Sequence, residues 1–263
     1  MNVNTLFSVK DKVVLVTGGS RGIGLMIASG FVSNGAKVYI SSRSADVCDE
    51  VAKQLTQTGP GKCISLPADL QNMSDIKALV GKLNFLEPDG INVLINNAGA
   101  NWAQPIDKYT ESGFNKVMSL NLTNIFFLSQ KLIPLLEKKA TKQDPARIIN
   151  IGSVDGNTVS QHPTFAYGAS KAGLHHLTRG MSIPLGQRNI TVNAVAPGPF
   201  QSKMMKETLD KHGQEIVKKV PMGRIGEPDD MAGVCIYLSS KAGNYVNGSV
   251  IVVDGGSSIS PKL

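Results

Sequence analysis

Residues 164–177 read TFAYGASKAGLHHL, a run with the spacing and composition of a helix that sets Tyr167 four residues before Lys171. Side chains four apart share a helix face. The two are therefore either a surface tyrosine and a solvated lysine, or a phenolic proton donor and the cation that tunes it. A free tyrosine, with a pKa of about 10, is a poor base near neutral pH, and a neighbouring cation favours the phenolate. The spacing occurs by chance in many helices and leaves both readings open.

A second stretch with chemical content is TGGSRGIG (17–24). It leaves the apolar, β-branched run KVVLVTGG and opens IGLMIASGFVSNGA, which has helical spacing. Gly18, Gly22 and Gly24 are spaced G-x-x-x-G-x-G rather than G-x-G-x-x-G. The use is similar: a tight backbone turn lets a pyrophosphate approach, and the helix N-terminus offers unpaired N–H groups. About 20 residues on, where an acid would bind the ribose hydroxyls of NAD, the chain has Ser42 and Arg43, with no acid before Asp46. A guanidinium pairs with a 2′-phosphate that an acid would repel. Arg21 can add a second positive group, so these positions favour NADP(H) over NAD. The competing reading of each arginine is a solvated surface charge.

The elements that must position these residues alternate. Strands are expected at 12–19, 37–43, 62–69, 91–99, 146–154, 189–198 and 249–256. Helices are expected at 23–36, 45–58, 74–85, in one long run at 111–138, from Tyr167 onward, and at 228–239. Pro184 falls where the Tyr167 helix should kink or end. Apolar strands alternating with helices imply an α/β fold: one doubly wound (Rossmann) sheet of about seven parallel strands, with helices on both faces. No repeat, low-complexity segment or linker divides residues 1–263, which read as a single dinucleotide-binding and catalytic domain.

The bulk properties exclude several classes. The formal charge of +7 is spread along the chain, so it speaks for phosphate-bearing small molecules or acidic carriers rather than nucleic acid. Cys48, Cys63 and Cys235 lie far apart without metal-ligand spacing, and no metal site is expected. No apolar run is long enough to span a membrane, and MNVNTLFSVKDK does not read as a signal peptide, so a cytoplasmic protein is expected. The tail Pro261-Lys262-Leu263 differs by one residue from the peroxisomal address S-K-L; a frayed end is the preferred reading.

Taken in order, TGGSRGIG (17–24), ADL (68–70), NNAG (96–99), Asn121, Ser153, YGASK (167–171) and PG (197–198) resemble the classical short-chain dehydrogenase/reductase family over nearly the whole chain. Within it the sequence is most similar to the NADPH-dependent β-ketoacyl (3-oxoacyl) reductases. The resemblance implies that Tyr167 is the general acid and that Lys171 tunes it and holds the nicotinamide ribose. It also implies that Ser153 binds the substrate carbonyl and that Asn121 completes a proton relay through water. Cofactor contacts are implied for Gly18, Ser20, Arg21, Gly22, Ile23, Gly24, Ser42, Arg43, Asp69, Leu70, Asn97, Ala98, Gly99, Tyr167, Lys171, Pro197 and Gly198. Family members are commonly tetramers, so a homo-oligomer built on the helices near 111–138 and 165–183 is expected; FNKVMSLNLTNIFFLSQKLIPLL is apolar enough for such a face.

The expected reaction is reduction of a ketone to a secondary alcohol, best matched by 3-oxoacyl thioesters carried on coenzyme A or an acyl carrier protein. Residues 199–220 read as a substrate lid in which Phe200 and Met204 suit an acyl group, while Lys203, Lys206, Lys218 and Lys219 either meet phosphates or form a solvated face. Trp102 is a candidate pocket wall. Asp155 is a turn residue, or else a carboxylate favouring hydroxylated substrates, which keeps a polyol or sugar-acid oxidoreductase as the alternative. A dinucleotide-binding regulator with little turnover is the rival from another class, opposed by the intact set Asn121, Ser153, Tyr167 and Lys171. A serine hydrolase built on Ser153, Asp155 and His162 lacks the G-x-S-x-G elbow. The four histidines read as ordinary polar or partly buried residues.

Overall fold

The computed structural model describes residues 2–160, 162–202 and 205–260, with the backbone alone at 206–209 and 211. A single helical turn, α1 (Val3–Leu6), precedes β1 (Val13–Thr17), α2 (Gly22–Ser33), β2 (Lys37–Ser41), α3 (Ala45–Thr58), β3 (Lys62–Ser65), α4 (Met73–Leu86) and β4 (Val93–Asn96). Then come α5 (Glu111–Met118), α6 (Asn124–Glu137), β5 (Ala146–Ile151), α7 (Phe165–Gly186), β6 (Ile190–Pro197), α8 (Lys206–Lys219), α9 (Pro228–Ser239) and β7 (Val250–Val253). The seven strands are parallel in the order β3-β2-β1-β4-β5-β6-β7. The chain steps outward from β1 to β3 and then returns to β1's other side for β4. That reversal opens a crevice beyond the carboxyl ends of β1 and β4.

Successive strand side chains point to opposite faces, and the core divides accordingly. Val14 and Val16 of β1 join Ile27 and Phe31 of α2, Cys48 of α3 and Met231 and Cys235 of α9. Val13 and Leu15 face Leu79 and Leu83 of α4, Leu132 and Leu136 of α6 and Leu185 of α7. Burial on both faces explains why β1, β5 and β6 are apolar or tightly hydrogen-bonded along their whole length.

Two helices depart from the expected pattern. The long run at 111–138 is broken by a π turn over Ser119–Thr123. Its wider turn carries Asn121, whose fully buried amide reaches the backbone of Ala100. Periodicity does not register one extra residue in a turn. Pro184 does not stop α7, which continues to Gly186; its missing N–H removes one i→i−4 bond, but only two residues of helix remain beyond it. The strands are also shorter than their apolar runs, because the residues after them turn into the site loops.

At the opposite end of the sheet, Arg147 is 1% exposed and Nη1 donates to Asp144 Oδ1 at 2.5 Å, while Nη2 donates to the Ser240 carbonyl at 3.1 Å. Lys12 Nζ adds bonds of 2.9 and 2.8 Å to the same carboxylate. Asp144→Ala leaves a guanidinium buried without its counter-charge, and the expected loss is about 3 kcal/mol in urea unfolding. An unchanged midpoint would show that the Ser240 carbonyl and Asn244 Oδ1, which both accept from Nη2, suffice to hold Arg147.

Candidate active site

The crevice is built from loops that lock onto one another. Thr17 Oγ1, at the end of β1, accepts from the N–H groups of Asn97 and Ala98 at 2.9 and 3.0 Å. Asn97 Nδ2 donates back to the carbonyls of Thr17 and Gly18 at 2.9 and 3.2 Å. NNAG is thereby tied to the glycine turn. Gly18 and Gly22 adopt φ of +65° and +52°, in the left-handed region that favours glycine. A Cβ on Gly24 would overlap the Gly18 carbonyl oxygen and stand 2.8 Å from its carbon. Ser20 is buried within the turn, and Ile23 packs on the core.

This cradle fits a dinucleotide phosphate. Arg21, the N-cap of α2, makes no side-chain cap bond, so the first N–H groups of α2 remain available to an anion. Beyond β2, Ser42 Oγ donates to the Ser44 carbonyl, and Arg43 is exposed. Neither Arg21 nor Arg43 forms an ion pair among the described residues. Asp69 folds its own turn, Oδ1 accepting from the Gln71 N–H at 3.1 Å. Leu70 is buried, and its carbonyl accepts from Asn124 Nδ2 at 2.7 Å. Gly99 is exposed at the rim. Pro197 ends β6, and the Gly198 N–H donates to the Val253 carbonyl at 2.9 Å.

The reacting groups converge from α7 and the end of β5. Lys171 is 4% exposed; its Nζ lies 5.5 Å from the centre of the Tyr167 ring and donates to the Ile151 carbonyl at 2.7 Å. Burial lowers the ammonium to about 8. Burial pushes the Tyr167 phenol up to about 12; the Ser153 hydroxyl opposes the rise and the Asp155 carboxylate reinforces it. Desolvation thus sets the direction of the shift, opposite to the downward pull expected from Lys171. Ser153 is 8% exposed and caps a 3₁₀ turn, Val154–Gly156, its Oγ accepting from the Asp155 N–H at 3.1 Å.

The Asn121 side chain is taken up by structural bonds. Oδ1 accepts from the Ala100 N–H at 2.8 Å, and Nδ2 donates to the Ala100 carbonyl at 2.9 Å and to Ser170 Oγ at 3.1 Å. Ser170 Oγ in turn donates to the Tyr167 carbonyl at 2.7 Å. The amide is committed to joining the loop after NNAG to the catalytic helix.

Substrate-side expectations divide. Asp155 is half-buried, its pKa raised by burial and partly offset by His162, and its charge acts on Tyr167. Phe200 is not a substrate contact: at 2% exposure it belongs to the core, its ring occupying the place a Cβ on Gly226 would take. Trp102 lays its indole on α5, with Nε1 2.5 Å from the Cβ position of Gly113. Met204 and Lys203 lie outside the described residues, as does the tail 261–263. Lys218 and Lys219 are exposed at the end of α8.

Several supporting residues carry no motif. Tyr109 OH donates to the Trp102 carbonyl at 2.9 Å and accepts from the Ala166 N–H at 3.3 Å, supplying a partner at the start of α7 where Thr164 makes no cap bond. Asn150 Nδ2 donates to Thr178 Oγ1 at 2.9 Å, and Asn96 Nδ2 to Asn150 Oδ1 at 2.9 Å. His175, expected to be ordinary, is 2% exposed; burial, Lys171 and Arg179 lower its pKa to about 4. The one available signal was the density of Asn, Ser and Thr in segments otherwise apolar enough to be core.

Among known proteins, the family model described as Enoyl-(Acyl carrier protein) reductase matches residues 18–258. The chain is 42% identical over 252 residues to a rhamnolipids biosynthesis 3-oxoacyl-[acyl-carrier-protein] reductase of Pseudomonas aeruginosa, covering 95% of this chain and 97% of that one. It is 34% identical to a 5-keto-D-gluconate 5-reductase of Escherichia coli strain K12, covering 97% and 98%. The Pseudomonas aeruginosa RhlG/NADP active-site complex superposes with a TM-score of 0.93 at 41% identity, over 98% of this chain and 100% of that one.

Two expectations follow from this geometry. Gly24→Ala forces the glycine turn away from NNAG, and dinucleotide binding followed by fluorescence titration should weaken at least about tenfold; unchanged affinity would mean the turn can give. The second concerns acid stability. Between pH 6.5 and 4 the unfolded chain protonates His175's imidazole while the native state does not, so native stability falls as pH drops through that window. The contribution is on the order of 3 kcal/mol. His175→Leu should flatten this part of the stability–pH curve, as measured by urea unfolding at each pH.

Proposed function

Because the chain belongs to the short-chain dehydrogenase/reductase family and is an oxidoreductase of that family, we propose that it reduces ketones to secondary alcohols with NADPH, its substrates being 3-oxoacyl thioesters. The observation that carries this reading is the convergence of Tyr167, Lys171 and Ser153 beside a glycine cradle edged by Arg21 and Arg43. The supporting relatives are reductases of 3-oxoacyl and keto-sugar-acid groups.

Bound NADPH supplies the hydride. Everything else belongs to the chain. Ser153 holds the carbonyl oxygen by a hydrogen bond that strengthens as negative charge grows there. Tyr167, a phenol that is protonated at neutral pH, donates its proton to the same oxygen. Lys171 keeps a donor on the Ile151 carbonyl, and its remaining N–H groups serve the ribose and the phenolate left after transfer. Asn121 holds the NNAG loop against α7, and its backbone lies in the π turn. Arg43 and Arg21 pair with the 2′-phosphate, while Asp69, Leu70, Asn97, Gly99, Pro197 and Gly198 shape the rest of the cleft.

Asp155 supports the second reading, oxidoreduction of polyols or sugar acids. A half-buried carboxylate beside Tyr167 accepts hydrogen bonds from hydroxyl groups. The exposed lysines at the end of α8 suit an acidic carrier or the phosphates of coenzyme A. An apolar groove of about 430 Å³ lined by Leu122, Phe126, Phe127, Gly173 and Leu177 lies on α6 and α7; a second copy of the chain would cover it, in a homo-oligomer that is a tetramer by family habit. The reading places the enzyme in the cytoplasm, where three free, buried cysteines stay reduced.

Oxidation of NADPH, with NADH in parallel, is the test, using acetoacetyl-CoA, a longer 3-oxoacyl thioester and a set of ketoses and keto-sugar acids. NADPH-linked thioester turnover is expected, with Tyr167→Phe lowering kcat at least about 100-fold. Arg43→Ala should raise KM for NADPH about tenfold or more and leave NADH nearly unaffected. Turnover confined to ketoses or sugar acids would move the substrate to the second reading. Tight NADPH binding with no transfer to any of them would favour a regulator.

A further inference from the structure

Beneath the turn that carries Ser153 lies a side chain with no part in the mechanism above. His175 follows Lys171 by one turn of α7 and is 2% exposed. Its ring occupies the space under residues 152–157. A Cβ on Gly152 would overlap Nε2 and stand 2.8 Å from Cδ2; one on Gly156 would stand 2.6 Å from Cε1. The two glycines bracket Ser153 and Asp155, so the imidazole lies against the backbone on both sides of the residue that meets the substrate carbonyl.

The ring is held at one edge only. Nδ1 is 3.0 Å from Oδ1 of Asn157, and since that oxygen can only accept, Nδ1 carries the hydrogen. Nε2 is then left with a lone pair that meets no donor, although it is buried. A buried polar atom without a partner calls for a reason, and an apolar side chain in this place would avoid the defect. A branched aliphatic chain, however, is thicker than a flat ring and offers no donor to Asn157. The charges that act on the ring are Lys171 and Arg179 from α7, and burial beside these two cations keeps it neutral.

We propose that His175 is a positioning residue for Ser153: its ring sets the place of Gly152, and its bond to Asn157 sets the far end of the turn, so that the serine hydroxyl stays aligned with Tyr167. The proposal rests on the roles assigned to Ser153 and Tyr167 above. It explains together why residues 152 and 156 are glycine, why 157 has an amide, and why an imperfectly paired imidazole is kept in the interior.

The test is a coupling between positions 152 and 175, read in the full-length protein as kcat and KM for acetoacetyl-CoA and as the NADPH dissociation constant. Gly152→Ala pushes Ser153 out of line and should lower kcat about 100-fold, with NADPH affinity within about twofold of wild type. His175→Ala loosens the turn and should lower kcat about tenfold. In the double variant the new methyl occupies space the ring has left. Its kcat should exceed the product of the two single effects by at least about tenfold. His175→Asn, which keeps a donor near Asn157, should retain more activity than His175→Leu.

Multiplicative single effects would overturn the proposal, as would loss of NADPH affinity in step with kcat, or wild-type kcat in both His175→Ala and His175→Leu. If Gly152→Ala fails to fold, recovery of a cooperative thermal transition in the double variant carries the coupling, and the Asn-versus-Leu comparison carries the kinetics. Ser153→Ala separates the two levels. Full activity in that variant refutes the role of Ser153 itself, whereas its inactivation alongside multiplicative effects at 152 and 175 refutes only the part given to His175.

Discussion

The structure depends on a set of buried polar bonds that fix α7 against the end of β5. Tyr167 and Lys171 ride on the helix, and Ser153 on the strand, so their mutual geometry is the geometry of that contact. Apolar packing by Met181 and Leu185 beds α7 on the sheet, but contacts of that kind change slowly with small shifts. Hydrogen bonds do not. Thr178 on Asn150, Lys171 on the Ile151 carbonyl and Ser170 between Asn121 and the Tyr167 carbonyl each tolerate only a few tenths of an ångström. Three such bonds along one side of a helix leave it a single register.

The same burial sets the electrostatics. A desolvated phenol holds its proton and a desolvated ammonium gives one up more easily, so Tyr167 moves up to about 12 and Lys171 down to about 8. The phenol, already in the acid form at neutral pH, keeps that form to higher pH. Asp155 pushes in the same direction. A positive charge brought close to the phenol would weaken that preference. The Lys171 ammonium lies 5.5 Å from the centre of the Tyr167 ring, with one of its N–H groups held by the Ile151 carbonyl.

How much of this was legible in the sequence differs from element to element. The alternation of β1 to β7 with the helices is a local pattern, and with right-handed crossovers it implies helices on both faces of one sheet; the strand order came from the structure. Gly18, Gly22 and Gly24 were legible because the turn demands backbone angles and clearances that only glycine supplies. Lys171 followed from its spacing to Tyr167. By contrast, the π turn at Asn121 depends on the Ala100 backbone, twenty-one residues away, and no periodicity within 111–138 records it. Tyr109 and Thr178 act through hydroxyl groups whose partners are likewise remote.

The substrate side was least legible, for a physical reason. A cofactor cleft at the end of a parallel sheet is made of main chain, and main chain leaves its trace in glycine. A substrate pocket is made of side chains from several loops, and an aromatic or methionine residue reads the same whether it faces a ligand or another loop. Phe200 illustrates the ambiguity: its neighbours PFQSKMM suggested an acyl surface, but Gly226 offers the ring a place in the core, and the burial gained there outweighs exposure at a pocket wall. Trp102 meets Gly113 in the same way. In both cases the deciding residue is a glycine on a distant segment, so a large side chain here is better assigned by finding the glycine that makes room for it than by its own type.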